Sequence, residues 1–292
     1  MTRKPTVAIV GAGRLATFLA AALDAAGFTI TEIIARASPR SLRRARVLAA
    51  RVGARTVTAH SAALDATLLW FCVPDRAIRD AASALADHLV ARALVHQKVK
   101  ARFAFHSSGA LSSRELAPLR TAGASVASVH PLMTFVAGAH PALTGMPFAI
   151  EGDDEATRVA RRIVRELGGD SFRLPAARKA AYHAWATMTS PLFVAFLVTL
   201  EEAARAAGLT REDARRKSLP IIRQTLANYS RLGPAHSFSG PLVRGDTQTV
   251  ARHMAVLKKH PGAHEVYVAL ARAALRGLPA KNKDGLKRLL RN

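Results

Sequence analysis

The sequence predicts a doubly wound α/β domain built on a parallel sheet, followed by an all-α domain. Three observations carry this. A glycine turn of spacing G-x-G-x-x-A, Gly11-Ala12-Gly13-Arg14-Leu15-Ala16, lies between a β-branched run at 6–10 and an alanine-rich stretch at 15–23. Short apolar strands then alternate with helical stretches as far as residue 174. From Ala176 onward the pattern is helical alone, so the expected domains are 1–175 and 176–292, with the boundary near Pro175.

The first stretch explains itself residue by residue. Gly27 supplies a left-handed stop to the first helix, and Thr29 to Ile34 is a second β-branched run, so the unit reads β-turn-α-β. This is the Rossmann arrangement. Gly11 permits the tight turn, Gly13 lets the backbone approach a pyrophosphate, and Ala16 keeps helix and strand close. The bare N–H groups near Arg14 and Leu15 then face an anion.

The end of the second strand separates the two nicotinamide cofactors, because a carboxylate there accepts from the ribose 2′-hydroxyl. Here it reads Ala35-Arg36-Ala37-Ser38-Pro39-Arg40, with Arg43 and Arg44 beyond, and Glu32 lies too early in the strand. Guanidinium forks and a hydroxyl suit a 2′-phosphate, so the reading favours NADP (NADPH), with Arg36 and Ser38 as its contacts. The competing reading is a set of solvated arginines in a very basic protein.

The remaining elements follow in order. A basic helix at 41–50 leads to a third strand at 55–58, and the wholly apolar run 67–73 suits the middle of a parallel sheet. Its exit, Val73-Pro74-Asp75, should place Val73 and Pro74 beside the cofactor, with Asp75 capping the next helix, to Leu89. A fifth strand, 103–106, ends in His106-Ser107-Ser108-Gly109-Ala110-Leu111-Ser112-Ser113, small and hydroxyl-rich enough for a turn that approaches a ligand; Ser107 is assigned to the cofactor and Ser108 to the substrate. Ser112 or Ser113 would cap a helix including 114–119. A sixth strand, 125–129, ends in His130-Pro131, and His130 is a second substrate contact. Strands at 148–151 and 171–174 flank a helix at 153–167. Helices are expected at 176–207, at 211–232 with a kink near Leu219-Pro220, at 247–257 and at 264–278, and the tail 281–292 reads as a frayed helix.

Composition bounds the class. A chain of 292 residues with 50% hydrophobic content fills two globular cores. Its single cysteine, Cys72, excludes an internal disulfide framework and reads as a small buried hydrophobe. With neither a signal-peptide pattern nor a charge-free bilayer span evident, the protein is expected to be cytoplasmic with no membrane partner. The formal charge of +23 is spread along the chain and aromatics are only 5%, which argues against nucleic acid as partner, although the charge would concentrate anionic ligands.

Chemistry is expected in the run Arg178-Lys179-Ala180-Ala181-Tyr182-His183-Ala184-Trp185. Lys179 and His183 stand at i and i+4 and share a helix face. A lysine partly desolvated against a nicotinamide would protonate a carbonyl oxygen or imine nitrogen as hydride arrives at carbon, with His183 orienting substrate or relaying the proton. The bland alternative is a solvent-facing lysine beside a core-edge histidine. In Gly240-Pro241-Leu242-Val243-Arg244-Gly245-Asp246-Thr247, Asp246 or Thr247 reads as a helix cap, while Arg244 could clamp an anionic substrate. His130, His183 and His253 belong to no H-x-x-x-H and no cysteine cluster accompanies them, so a metal site from these three is not supported.

Together the motifs GAGRLA, FCVPD, HSSGALSS, SVHPLMTF, FAIEGD, KAAYHAWATM and GPLVRGDTQTVARH resemble, over nearly the whole chain, a bacterial family of uncharacterised Rossmann-like proteins with a helical C-terminal domain of unknown function. The resemblance implies NADP-dependent oxidoreductases akin to pyrroline-5-carboxylate reductase, ketopantoate reductase and the 3-hydroxyisobutyrate and 6-phosphogluconate dehydrogenases. It implies a homodimer through the helical domain. In the hydroxyacid dehydrogenases a lysine near the start of that domain is the acid/base, with asparagine four residues on. Lys179 matches the lysine, whereas His183 stands in place of the asparagine, and Ser190 is a second departure. The resulting expectation is reduction of a small carbonyl or imine, anionic if Arg244 contacts it. The rivals are an NADP-binding sensor or scaffold without chemistry, and a nucleic-acid binder.

Overall fold

The computed structural model describes residues 4–95, 102–139 and 141–291. By packing, the chain divides into two compact units, Met1–Thr187 and Met188–Asn292. The expected boundary at Pro175 marks the end of the last strand, but packing carries the next helix with the sheet.

In the first unit the elements run β1 (Val7–Val10), α1 (Arg14–Ala25), β2 (Ile30–Ile34), α2 (Pro39–Arg51), β3 (Arg55–Val57), β4 (Leu68–Phe71), α3 (Ile78–Val95) and β5 (Phe103–His106). There follow α4 (Ala117–Thr121), β6 (Ser125–Pro131), β7 (Pro147–Gly152), α5 (Asp154–Glu166), β8 (Asp170–Arg173) and α6 (Lys179–Thr189). The strands form one sheet of order β3-β2-β1-β4-β5-β6-β7-β8. All neighbours are parallel except β6 and β7, which pair antiparallel. The first six strands have the 3-2-1-4-5-6 order whose carboxyl edge forms a ligand crevice between β1 and β4.

Period-two alternation divides the sheet's side chains between two cores. Val7, Ile9, Leu68 and Trp70 face α1, α2 and α5, whereas Ala8, Val10, Leu69 and Phe71 face α3 and α4. Leu19 and Leu23 of α1 are buried against the first face, each worth roughly 2 kcal/mol. Glu32 is fully buried, which an unpaired carboxylate could not bear. It accepts from Arg55 at 2.9 Å and from the backbone N–H groups of Ala63 and Leu64 at 3.0 and 3.3 Å.

The second unit comprises α7 (Pro191–Arg205), α8 (Arg211–Ser237), α9 (Pro241–Arg244), α10 (Thr247–Leu257), α11 (Pro261–Gly277) and α12 (Lys283–Leu289). Its core joins Val250, Met254, Ala271, Leu275, Leu286 and Leu290. The helix expected at 176–207 is interrupted: Ser190 leaves helical geometry at φ −126°, ψ −72°, and Pro191 restarts the chain. At Pro220, where a kink was expected, α8 keeps helical dihedrals, and its non-helical residue is Gly233, φ 75°, immediately before Pro234. The tail is not frayed, since α12 buries Leu286 and Leu290; Asn292 lies outside the described residues.

One composition reading is corrected. An 18-residue window within Ala176–Arg205 reaches a mean hydropathy of 1.3 and is not buried within the chain, so by length and composition the stretch could cross a membrane, although Ser190 divides it into α6 and α7 and this is weak evidence of a span. The stretch was missed because the histidine and the serine–proline break disguise a run with no Asp, Glu, Lys or Arg between 180 and 200.

Candidate active site at two strand-exit turns

Two turns stand at the carboxyl edge of the sheet. The first follows β1. Gly11 has φ +108°, and a Cβ there would lie 2.6 Å from the Cys72 carbonyl oxygen, so only glycine passes beneath β4. Val73 is its other neighbour, 3.0 Å from the same point, and Pro74 beyond it is exposed. Gly13 differs. Its backbone is extended (φ −84°, ψ −174°), it is exposed, and a Cβ would come no nearer than 3.9 Å to any protein atom outside its chain neighbours. Gly13 leaves its space toward solvent. It is also the N-cap of α1, with no side-chain cap and no acid in the first turn, so the amides of the helix start remain bare donors.

Beside this turn a cavity of about 520 Å³ opens between α1 and α2, lined by Gly13, Arg14, Thr17, Arg43, Arg44 and Arg51. None of these arginines makes an ion pair among the described residues. Leu15 begins the packing of α1 on the sheet. Arg36 is exposed, while the Ser38 hydroxyl caps α2 by accepting from Ser41 N–H at 3.3 Å. The arginine side chains that share the cavity therefore lie on α1 and α2. A larger cavity, about 900 Å³, runs along α5 and β8 and holds none of the residues singled out from the sequence.

The second turn, after β5, is filled by its own side chains. His106 is fully buried; its Nε2 donates to the Ser112 carbonyl at 3.0 Å, and its Nδ1 accepts from Ser108 N–H at 3.1 Å. Burial pushes its pKa down to about 4, so the ring is neutral in this tautomer. Ser107 accepts from the Trp70 indole at 2.9 Å. The Ser108 hydroxyl donates to Asp75 at 2.8 Å and accepts from the N–H groups of Ala110 and Leu111 at 3.2 and 2.9 Å. The donor and both acceptor valences of this hydroxyl are met inside the protein. Asp75 is not a helix cap; that position belongs to Pro74. Ser113 gives its N–H and hydroxyl to Glu151 at 2.5 and 3.1 Å.

Lys179 enters this network from α6. Only 2% exposed, its ammonium donates to the Ser108 carbonyl and to the Ser128 hydroxyl, both at 2.6 Å, and Ser128 in turn donates to the Ser108 carbonyl at 3.1 Å. The solvent-facing alternative for Lys179 is thereby excluded. Burial lowers its pKa to about 8, opposed by the charges of Glu151 and Asp75. One turn further on, His183 is half-buried, and Gly109 lies under it: a Cβ on Gly109 would be 2.6 Å from His183 Cδ2 and 2.8 Å from His130 Nε2. His130 closes the group, its Nδ1 2.8 Å from the Tyr182 hydroxyl and its ring 6.3 Å from that of His183.

Lys179, His183, His130, Ser107 and Ser108 thus meet around residues 107–109. Arg244 and His253 lie in the second unit, where Arg244 is exposed and His253 Nδ1 is 3.1 Å from the Tyr267 hydroxyl. Asp246 caps α10, accepting from Thr249 N–H at 2.9 Å. Among the described residues no three His, Cys, Asp or Glu side chains gather as metal ligands. The buried thiol of Cys72 is pushed up to about 12. Sequence reasoning missed Ser128, Glu151 and the contribution of Tyr182. The first two were visible as lone polar residues in otherwise apolar strand runs, VASV and FAIEG.

Known proteins share this fold. Residues 2–131 match the family profile of a Rossmann-like domain, and residues 146–274 that of a domain of unknown function, DUF2520. A candidate NADP oxidoreductase of Bacteroides fragilis is 22% identical, over 92% of this chain and 97% of its own, with TM-score 0.72. Protein TM1727 of Thermotoga maritima is 24% identical over 98% of both chains, with TM-score 0.71. An imine reductase of Myxococcus stipitatus, solved with NADP+, is 16% identical over 98% of this chain and 100% of its own, with TM-score 0.63. No curated protein matches. At these identities the likeness establishes the fold.

Proposed function

From the premise that a Rossmann-like domain is joined here to a DUF2520 domain, we propose that the chain is a cytoplasmic NADP-dependent oxidoreductase acting on a small carbonyl or imine compound. The observation that carries this reading is a lysine 2% exposed, its pKa lowered to about 8, bonded to the turn at one strand exit while bare helix amides occupy another exit of the same sheet.

Gly13 and the amides of Arg14 and Leu15 would hold the diphosphate of the cofactor, with Val73, Pro74 and Ser107 beside it. Arg14, Arg43 and Arg44, with Arg36 and Ser38 at the loop, would hold the 2′-phosphate. When bound, the nicotinamide supplies or accepts the hydride. The chain's own residues handle the proton. Lys179 Nζ retains one N–H beyond those given to Ser108 and Ser128 and is the proton source in reduction, while His183 and His130 pack over Gly109 beside it. Arg244 is proposed as an anion clamp for substrate. The homodimer is proposed through α7 and α8, which leave Leu192, Val194, Val198, Ile221 and Leu226 exposed. A monomer in analytical ultracentrifugation without detergent overturns the dimer.

The test is calorimetry with NADPH and NADH, followed by turnover assays with pyruvate as carbonyl probe and 1-pyrroline as imine probe. Absence of heat with either coenzyme overturns the reading. A second reading, an NADP sensor without chemistry, is favoured by one observation: two of the three hydrogens of the Lys179 ammonium already serve the fold. Binding of NADPH with no turnover across a broad panel of keto acids and cyclic imines decides for the sensor.

A further inference from the structure

We propose that Tyr182 is a positioning residue for His130: it donates its hydroxyl hydrogen to Nδ1, holding the imidazole in the Nε2–H form, turned toward Gly109 as a hydrogen-bond donor to the substrate's oxygen or nitrogen. The contact with substrate rests on the oxidoreductase reading; the lock between the two side chains does not.

The direction of the 2.8 Å contact follows from what surrounds each group. Tyr182 is buried against Ala149, Leu174, Leu132 and Phe172, an apolar nest in which its hydroxyl has no other hydrogen-bond partner. A buried phenol sends its one hydrogen to the acceptor within reach, and the imidazole nitrogen is that acceptor. Burial also raises the Tyr182 pKa to about 12, so the hydrogen stays on the phenol. An imidazole that accepts at Nδ1 carries its hydrogen at Nε2 when neutral.

Neutrality has its own cause. His130 is half-buried, and the groups that face it are Lys179 and His183 from α6 and His106 from β5, all of them cations when charged. Burial and the Lys179 ammonium together push the His130 pKa down to about 3. The ring is therefore neutral wherever the protein is folded near neutral pH.

The edge-on stacking of the two rings, centroids 5.5 Å apart and planes at 85°, fixes the plane of the imidazole as well as its tautomer. Nε2 then lies 2.8 Å from the point a Gly109 Cβ would occupy, and among the described residues it has no hydrogen-bond partner. The His130 and His183 rings pack directly on Gly109, and a neutral, oriented N–H donor at the edge of this turn suits a polarised C=O or C=N group. It needs no protonation change to stabilise charge gathering on that atom, while the transferable proton remains with Lys179.

The test uses full-length protein labelled with ¹⁵N-histidine, with the His130 signals assigned by their loss in His130→Gln. Long-range proton–nitrogen correlation should show a bare, pyridine-type Nδ1 and a protonated Nε2 at His130, unchanged from pH 5 to pH 9 in wild type, values chosen to bracket an unperturbed histidine of about 6.5. In Tyr182→Phe, which keeps the ring in its apolar nest, the same signals should move to those of a mixed-tautomer imidazole. A hydrogen on Nδ1 in wild type, or no change in Tyr182→Phe, overturns the lock. With 1-pyrroline or pyruvate, whichever is turned over, Tyr182→Phe should lower kcat at least about 10-fold, the lower end of what a positioned proton-handling or donor group contributes, with NADPH affinity unchanged. Unchanged kcat overturns the contact with substrate. Failure to bind NADPH at all would instead remove the oxidoreductase reading and leave the nitrogen spectra to decide the lock.

Discussion

The turn after β1 and the turn after β5 leave the same sheet edge, yet they are built on opposite plans. The first is held by backbone alone and turns its donors outward: Gly11 passes under the Cys72 carbonyl, Gly13 faces open space, and the first amides of α1 have no cap. The second is packed with polar side chains turned inward, from His106, Ser108, Ser128 and Lys179. The contrast teaches that one turn is made to be completed by something external, whereas the other arrives complete and presents only what its network leaves over.

The sharpest way to break the filled turn is Lys179→Met. Loss of the proton source should lower turnover by about 10²- to 10⁴-fold while NADPH affinity, measured by calorimetry, is unchanged. Equal losses in both would make Lys179 purely structural. The open turn should break in two distinguishable ways. Gly11→Ala meets a backbone oxygen at 2.6 Å with φ at +108°, and strain plus overpacking should cost about 4 kcal/mol in denaturant unfolding. Gly13→Ala meets nothing nearer than 3.9 Å and should unfold nearly as wild type, yet weaken the dinucleotide at least about 10-fold because its methyl occupies the diphosphate's place.

Acid separates the turns without mutation. His106 is lowered to about 4 in the fold, below the usual value for histidine. As pH falls below about 6.5 the unfolded chain takes up a proton that the folded chain refuses, so stability declines, by about 3 kcal/mol by pH 4. Lys179 gives the other flank: between about 8 and its usual value the folded lysine has released its proton and the unfolded one has not, so stability rises with pH there. Over the same range reduction should slow, because the donor is lost. Urea titrations across pH read the first two effects and initial rates the third. Ser38→Ala should have the smallest effect, about 1 kcal/mol for a lost helix cap, with NADPH affinity little changed if the phosphate is held mainly by the α1 and α2 arginines.

These contrasts also explain what the residues disclosed in advance. The open turn was legible because it is local: glycine spacing, a β-branched strand before it and an alanine-rich helix after it lie within thirty residues. The doubly wound sheet was legible from alternation of strand and helix, and Glu32 was recognised as too early in its strand to reach a ribose. The filled turn was only half legible. His106, Ser108 and Lys179 were noticed one by one, but their partners lie up to 71 residues away, and no local periodicity reports that Ser108 is already occupied. The antiparallel β7 was hidden for the same reason, since a strand's direction is decided by its connection rather than its composition. The chain leaves helical dihedrals at Ser190, before Pro191, and at Gly233, before Pro234, but not at Pro220.

The reversal between β6 and β7 fixes how α6 can approach. β7 and β8 run antiparallel to β6, β8 ends with Arg173 level with Val129, and α6 then lies beside β6 with Lys179 abreast of Ser128 and Tyr182 abreast of His130. Three residues of helix advance about 4.5 Å and two of strand about 6.6 Å, a difference that long side chains span. The helix therefore works as a gauge laid against the strand. Inserting or deleting one residue between 174 and 179 would rotate α6 by about a quarter-turn or more and uncouple both side chains at once.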